Sequence, residues 1–141
     1  MNELQSALNA AARFAGSVYG KTWRREGSML NLLEDLHVLP ITYRIQFKIC
    51  LLRFKCLNGM APTYMNSLLQ IRIPTRYSLR ADDDFYLLNV PKKPRYKKME
   101  NAFSIAAPYL WNSLPVSIRC LTDAETFKTS LKTHYFNLAF K

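Results

Sequence analysis

FSIAAPYLWNSLPVSIR, residues 103–119, is the stretch whose reading decides the fold. Pro108 and Pro115 bracket one helical turn; Tyr109, Leu110 and Trp111 supply a dense apolar payload. Asn112 and Ser113 place turn chemistry ahead of the second proline. The combination predicts a rigid packed corner, with Tyr109 and Trp111 in the core rather than offered to nucleobases, because aromatic burial carries so much of a small domain's stability. Neither this stretch nor the rest of the chain holds a serine, histidine and carboxylate set or a glycine-rich phosphate loop.

Helical signals surround the corner. Leu4, Leu8, Ala11, Ala12 and Ala15 recur at helical spacing after Asn2, and Gly16 and Gly20 can stop the run, which predicts a helix over 3–15. A short helix is expected over 31–36. A longer one, capped by Thr42, should run to Leu57 and end at Asn58 and Gly59, followed by a helix from Pro62 to Gln70. Downstream, Thr122 and Glu125 have capping-box spacing, and Phe127, Leu131, Tyr135 and Leu138 recur on one face of a terminal helix.

The middle of the chain changes character. Residues 71–84 read as a linker loop. Phe85–Val90 and Asn101–Ala106 read as two strands flanking PKKPRYKK, a candidate β-hairpin over 85–106 with a basic tip. The expected fold class is therefore mainly α with a small β-hairpin (α+β), four to five helices in a single domain over 1–141.

Lys and Arg number 20 against 10 Asp and Glu, a net charge of +10 on 141 residues. Such an excess points to a polyanionic partner, nucleic acid or an anionic membrane face, against the plainer reading of a basic protein without one. Two groups of cations are candidates. Lys92, Lys93, Arg95, Lys97 and Lys98 surround Tyr96, so that phosphates are neutralised while the ring stacks on a base. Arg44, Lys48 and Lys55 fall in one narrow sector of the expected 42–57 helix, with Ile45, Ile49, Leu52 and Cys56 in another, and Lys128 and Lys132 repeat the spacing on the terminal helix. For each group the alternative is a solvated charged surface.

Other features are negative. Cys50, Cys56 and Cys120 form neither an even disulfide set nor a close ligand pair, and His37 and His134 are distant in sequence, so buried reduced thiols are expected and no metal. Asp82, Asp83 and Asp84 follow Ala81 and resemble a polymerase metal-binding turn superficially. Such a turn joins two apolar strands, whereas here an arginine-containing linker precedes it, so a solvated loop is expected. No leader and no membrane-length apolar run is visible, which excludes secretion and membrane insertion from the expectation.

The 103–119 stretch resembles the C-terminal tail, downstream of the palm, of the reverse transcriptase polyprotein of non-LTR (LINE-type, jockey-like) retrotransposons. There a phenylalanine-small-alanine-proline run leads into a tryptophan-asparagine-serine-leucine-proline motif. Leu8–Phe14 (LNAAARF) resembles that family's alanine-rich helix. Leu36, His37, Leu39 and Pro40 resemble its leucine-histidine-tryptophan-leucine-proline motif, with Val38 in place of tryptophan. Arg44, Ile45, Phe47 and Lys48 follow in order, then Phe54–Pro62 with Tyr64, and finally Phe127, Lys128, Leu131, Lys132 and His134. The resemblance runs from about Leu4 to Phe140.

It implies a thumb-like helical module, a C-terminal fragment of an RNA-directed DNA polymerase that grips RNA or RNA-DNA duplex through phosphate contacts. No catalytic step of its own is implied, since the palm and its metal-binding aspartates are lacking. Divalent metal ions would be cofactors of the parent alone. Expected partners are nucleic acid and the missing polymerase domains, with no membrane and no small-molecule substrate, in the nucleus or cytoplasm. The alternatives are a protein-packing module of the parent polymerase and a decayed element copy with no selected activity.

Overall fold

The computed structural model describes residues 2–18, 28–72, 87–91 and 102–141. Within them the chain forms seven helices and no strand: α1 (Asn2–Val18), α2 (Met29–Asp35), α3 (Ile41–Leu57), α4 (Thr63–Asn66), α5 (Phe103–Asn112), α6 (Val116–Arg119) and α7 (Ala124–Ala139). The mainly α class holds. Two compact units divide the chain, residues 1–47 with 132–141, and residues 48–131.

The first unit contains α1, α2 and the ends of two long helices. Its core is Ala12, Leu32 and Leu33, joined by Leu8, Met29, Leu36, Val38 and Phe140. Alanine and glycine at the buried positions of α1 bring the helix close to its neighbour; Gly16, expected to stop the helix, lies buried within it. Ser28 caps α2, its Oγ accepting from the Leu30 amide at 3.3 Å. At the other end His37 takes φ +52°, while the Val38 amide donates to the Leu33 carbonyl and the His37 amide to that of Glu34. This is the six-to-one and five-to-two pairing that closes a helix through a left-handed residue, with histidine where glycine is usual. The His37 ring stacks on Phe136, centroids 5.6 Å apart, and the Gln5 carboxamide accepts from the Ile41 amide that begins α3.

The second unit is built around aromatic contacts. Phe54 of α3 stacks on Phe127 of α7 with centroids 4.2 Å apart, and Trp111 of α5 lies 5.9 Å from the same ring. All three are fully buried. At roughly 2–3 kcal/mol for each large side chain taken from water, they dominate this unit's core. Asn58 and Gly59 end α3 as expected: Gly59 has φ +68°, and the Met60 amide returns to the Lys55 carbonyl.

Several expectations are corrected. The β-hairpin over 85–106 does not form: residues 103–106 begin α5, and Leu88 makes an isolated antiparallel bridge with Ile71 instead. The physical reason lies at Asn112. Its Oδ1 accepts from the Leu88 amide and its Nδ2 donates to the Leu88 carbonyl, both at 2.9 Å, so a carboxamide occupies the edge of Leu88 that a second strand would need. On the other edge the Arg72 amide donates to the Leu87 carbonyl and the Asn89 amide to that of Gln70. Of the expected linker, only Ile71 and Arg72 are described; 73–84 lies outside the described residues.

Pro108 does not open a helical turn but sits inside α5, where it deprives the Ser104 carbonyl of a donor. Burial of Ala107, Pro108 and Trp111 on one helical face sustains the helix across it. Around Pro62 the expected helix shortens to α4. Asp123, not Thr122, caps α7: its carboxylate accepts from the Thr126 amide at 2.8 Å and the Thr126 hydroxyl at 2.6 Å. Phe127, Leu131 and Tyr135 are the buried face of α7, whereas Leu138 is exposed.

Candidate nucleic-acid interface

A helix with one face buried must turn its opposite sector outward, and this positions the α3 cations. Cys50, Arg53 and Phe54 are buried, and Arg44, Lys48 and Lys55 lie around the opposite side, all exposed. Among the described residues none of the three is ion-paired. The buried face differs from the expected one, since Ile45 is exposed while Cys56 of the same sector is buried. The aromatic stack through Phe54 fixes the helix rotation, outweighing the aliphatic residues.

The other expected contacts divide. Lys92, Lys93, Arg95, Tyr96, Lys97 and Lys98 lie outside the described residues, as do Asp82–Asp84. On α7, Lys128 is drawn toward Glu125 at 3.3 Å, while Lys132 is exposed. That exposed pair adds little stability but reduces the charge Lys128 offers to a phosphate. Trp111 is core; Tyr109 is half-exposed, against expectation.

Two further arginines are buried and were not anticipated as such. Arg119 donates from Nε to the Leu114 carbonyl at 3.1 Å and lines a shallow cleft of about 90 Å³ with Phe54, Leu57, Asn58, Leu121 and Thr122. Arg53 is 3% exposed, its Cζ 5.8 Å from the centroid of the Trp111 ring, and its Nε and Nη2 reach no hydrogen-bond partner. Burial lowers its pKa to about 10, a shift that the neighbouring Cys56 partly opposes, so Arg53 remains charged at neutral pH. The signal was available on the helical wheel, where Arg53 lies on the far side from Arg44, Lys48 and Lys55, between Leu52 and Phe54.

Burial in turn raises the Cys56 thiol above its ordinary value, with the Arg53 charge working against the shift, which keeps Cys56 protonated and unreactive at neutral pH. Cys50 is also a buried free thiol, while Cys120 is exposed. Among the described residues no group of three His, Cys, Asp or Glu side chains is placed to hold a metal ion, and no helix is long and apolar enough to cross a membrane.

No family model, curated protein or solved structure matches this chain.

Proposed function

We propose that this chain is a nucleic-acid-binding module, a C-terminal piece of a retrotransposon-type RNA-directed DNA polymerase, which holds RNA or RNA-DNA duplex by its phosphates and performs no chemical step itself. The observation that carries the reading is the exposed sector of α3. There Arg44, Lys48 and Lys55 stand at intervals of four and seven residues without carboxylate partners among the described residues, in a chain of net charge +10. Three cations along one helix face match a phosphate backbone better than a point ligand. The basic run 92–98, which contains Tyr96, supplies further charge in sequence.

Filter binding of a single-stranded RNA and an RNA-DNA duplex across a salt series tests the reading. About four engaged phosphates give a log-log slope near −3 to −4, and reversing Arg44, Lys48 and Lys55 to glutamate should remove most of it. Affinity indifferent to salt, or a slope unchanged in the triple variant, refutes the proposal.

A second reading, a packing module for other polymerase domains, draws on Tyr64, Leu68, Ile71 and Tyr109, large apolar side chains that are exposed in the second unit. It predicts tight binding to the parent polymerase and no affinity for RNA in isolation.

A further inference from the structure

The cleft beside Arg119 lies wholly within the second unit, between the end of α3 and the turn that leads into α7. Its walls are of two kinds. Phe54, Leu57 and Leu121 are apolar; Asn58, Thr122 and Arg119 are polar, with one cation and no carboxylate among the lining residues. Asp123 follows Thr122 in sequence, but its carboxylate accepts from the Thr126 amide and hydroxyl.

Each polar group is set by a contact on its inner side. Arg119 is 6% exposed and is anchored from Nε to the Leu114 carbonyl, which fixes the guanidinium at the cleft wall. The Asn58 Nδ2 donates to the Phe54 carbonyl at 2.9 Å, which leaves Oδ1 as the acceptor of an exposed carboxamide. Thr122 is exposed and, although its spacing to Glu125 suggested a capping box, its hydroxyl caps nothing and makes no hydrogen bond among the described residues.

We propose that this cleft seats one ribose-phosphate unit of an RNA strand, with the 2′-hydroxyl between Asn58 and Thr122 and the adjoining phosphate toward Arg119. Size and lining select this occupant. An apolar cavity of about 150 Å³ holds a benzene ring, so about 90 Å³ is too small for a nucleobase and suits one edge of a sugar. A bare phosphate or carboxylate would leave the apolar walls unused, whereas a ribose offers them its C–H face. The sugar's hydroxyl both donates and accepts, which the Asn58 oxygen and the Thr122 hydroxyl together match. Lys55 of the exposed cationic sector precedes Asn58 by three residues, which places the two side chains on neighbouring positions of one helix face. The site presupposes the phosphate grip proposed for α3 and adds to it a means of telling RNA from DNA.

Single strands of mixed adenine and cytosine, made as RNA, as DNA and as 2′-O-methyl RNA, test the site in binding titrations with the full chain across a salt series. RNA should bind about five- to ten-fold more tightly than DNA, the effect of one net hydrogen bond, and the 2′-O-methyl strand should lose that advantage. Thr122→Val and Asn58→Ala should each narrow the gap between RNA and DNA. Circular dichroism checks the fold; should Asn58→Ala loosen the end of α3, Thr122→Val and the modified strands still read the site. RNA and DNA bound equally, or a preference that survives both substitutions, overturns the proposal, and a steep salt dependence on both strands then leaves the α3 grip standing. Binding indifferent to salt overturns the grip and the site with it.

Discussion

Replacing Arg53 with methionine should stabilise this protein. A guanidinium 3% exposed, with Nε and Nη2 unpartnered, is a charge removed from water without full compensation. Burial lowers its pKa from the ordinary 12.5 to about 10, which corresponds to a penalty of about 3 kcal/mol on the charged form. The contact with Trp111 returns about 1–2 kcal/mol of this, and a methionine of similar length keeps part of that contact through its sulfur. The net gain is about 1–2 kcal/mol.

In urea, at about 1–3 kcal/mol per molar, the midpoint of Arg53→Met should rise by roughly half to one molar with an unchanged slope. The pH dependence follows from the sign of the shift. Folded and unfolded chains both hold the proton below pH 10, so the difference between variant and parent should be constant from pH 6 to 9. It should shrink only as the pH climbs past 10, where the native arginine begins to lose its charge. Arg53→Lys should not share the gain, because a compact ammonium is more strongly hydrated and stacks poorly. A lower midpoint for Arg53→Met, or a difference that varies between pH 6 and 9, refutes the reasoning.

Asn112→Ala strands the amide and carbonyl of the buried Leu88 and should cost about 2–4 kcal/mol in chemical denaturation, with Asn112→Asp also destabilising because a carboxylate then faces the Leu88 carbonyl. Gly59→Ala should cost about 1 kcal/mol, from the positive φ alone, since an added Cβ meets nothing within 4 Å; a substantially larger loss would show that α3 ends differently. His134 is half-buried and desolvation lowers its pKa from 6.5, so the native state resists the proton and stability should fall as pH drops below 6.5. His134→Gln should flatten the stability profile between pH 7.5 and 5, and an unchanged profile counts against that assignment. Asp123 has the opposite chemistry: the Thr126 hydroxyl and amide hold its carboxyl below the usual 3.8, so its cap is present above that value and lost in stronger acid. Asp123→Ala should lower the thermal midpoint at neutral pH and leave a smaller difference at pH 2.

The amino-acid sequence by itself determined the helical class, the end of α3 at Gly59, the buried heptad-like positions Phe127, Leu131 and Tyr135, and the shared sector of Arg44, Lys48 and Lys55. Each follows from a period or from one residue's backbone preference, both of which are local. Only the tertiary structure decided the rest. Phe103–Ala106 has strand-compatible alternation, yet it is helical because Ala107, Pro108 and Trp111 bury one face and Asn112 takes the edge of Leu88. Which side of α3 is interior was settled by a ring on a distant helix, Phe127, stacking on Phe54, and that same rotation carried Arg53 into the core. The helical wheel sets Arg53 opposite the cationic sector, but side-chain pairing across tens of residues has no period to read, so only the Phe54–Phe127 stack decides that the Arg53 side faces inward.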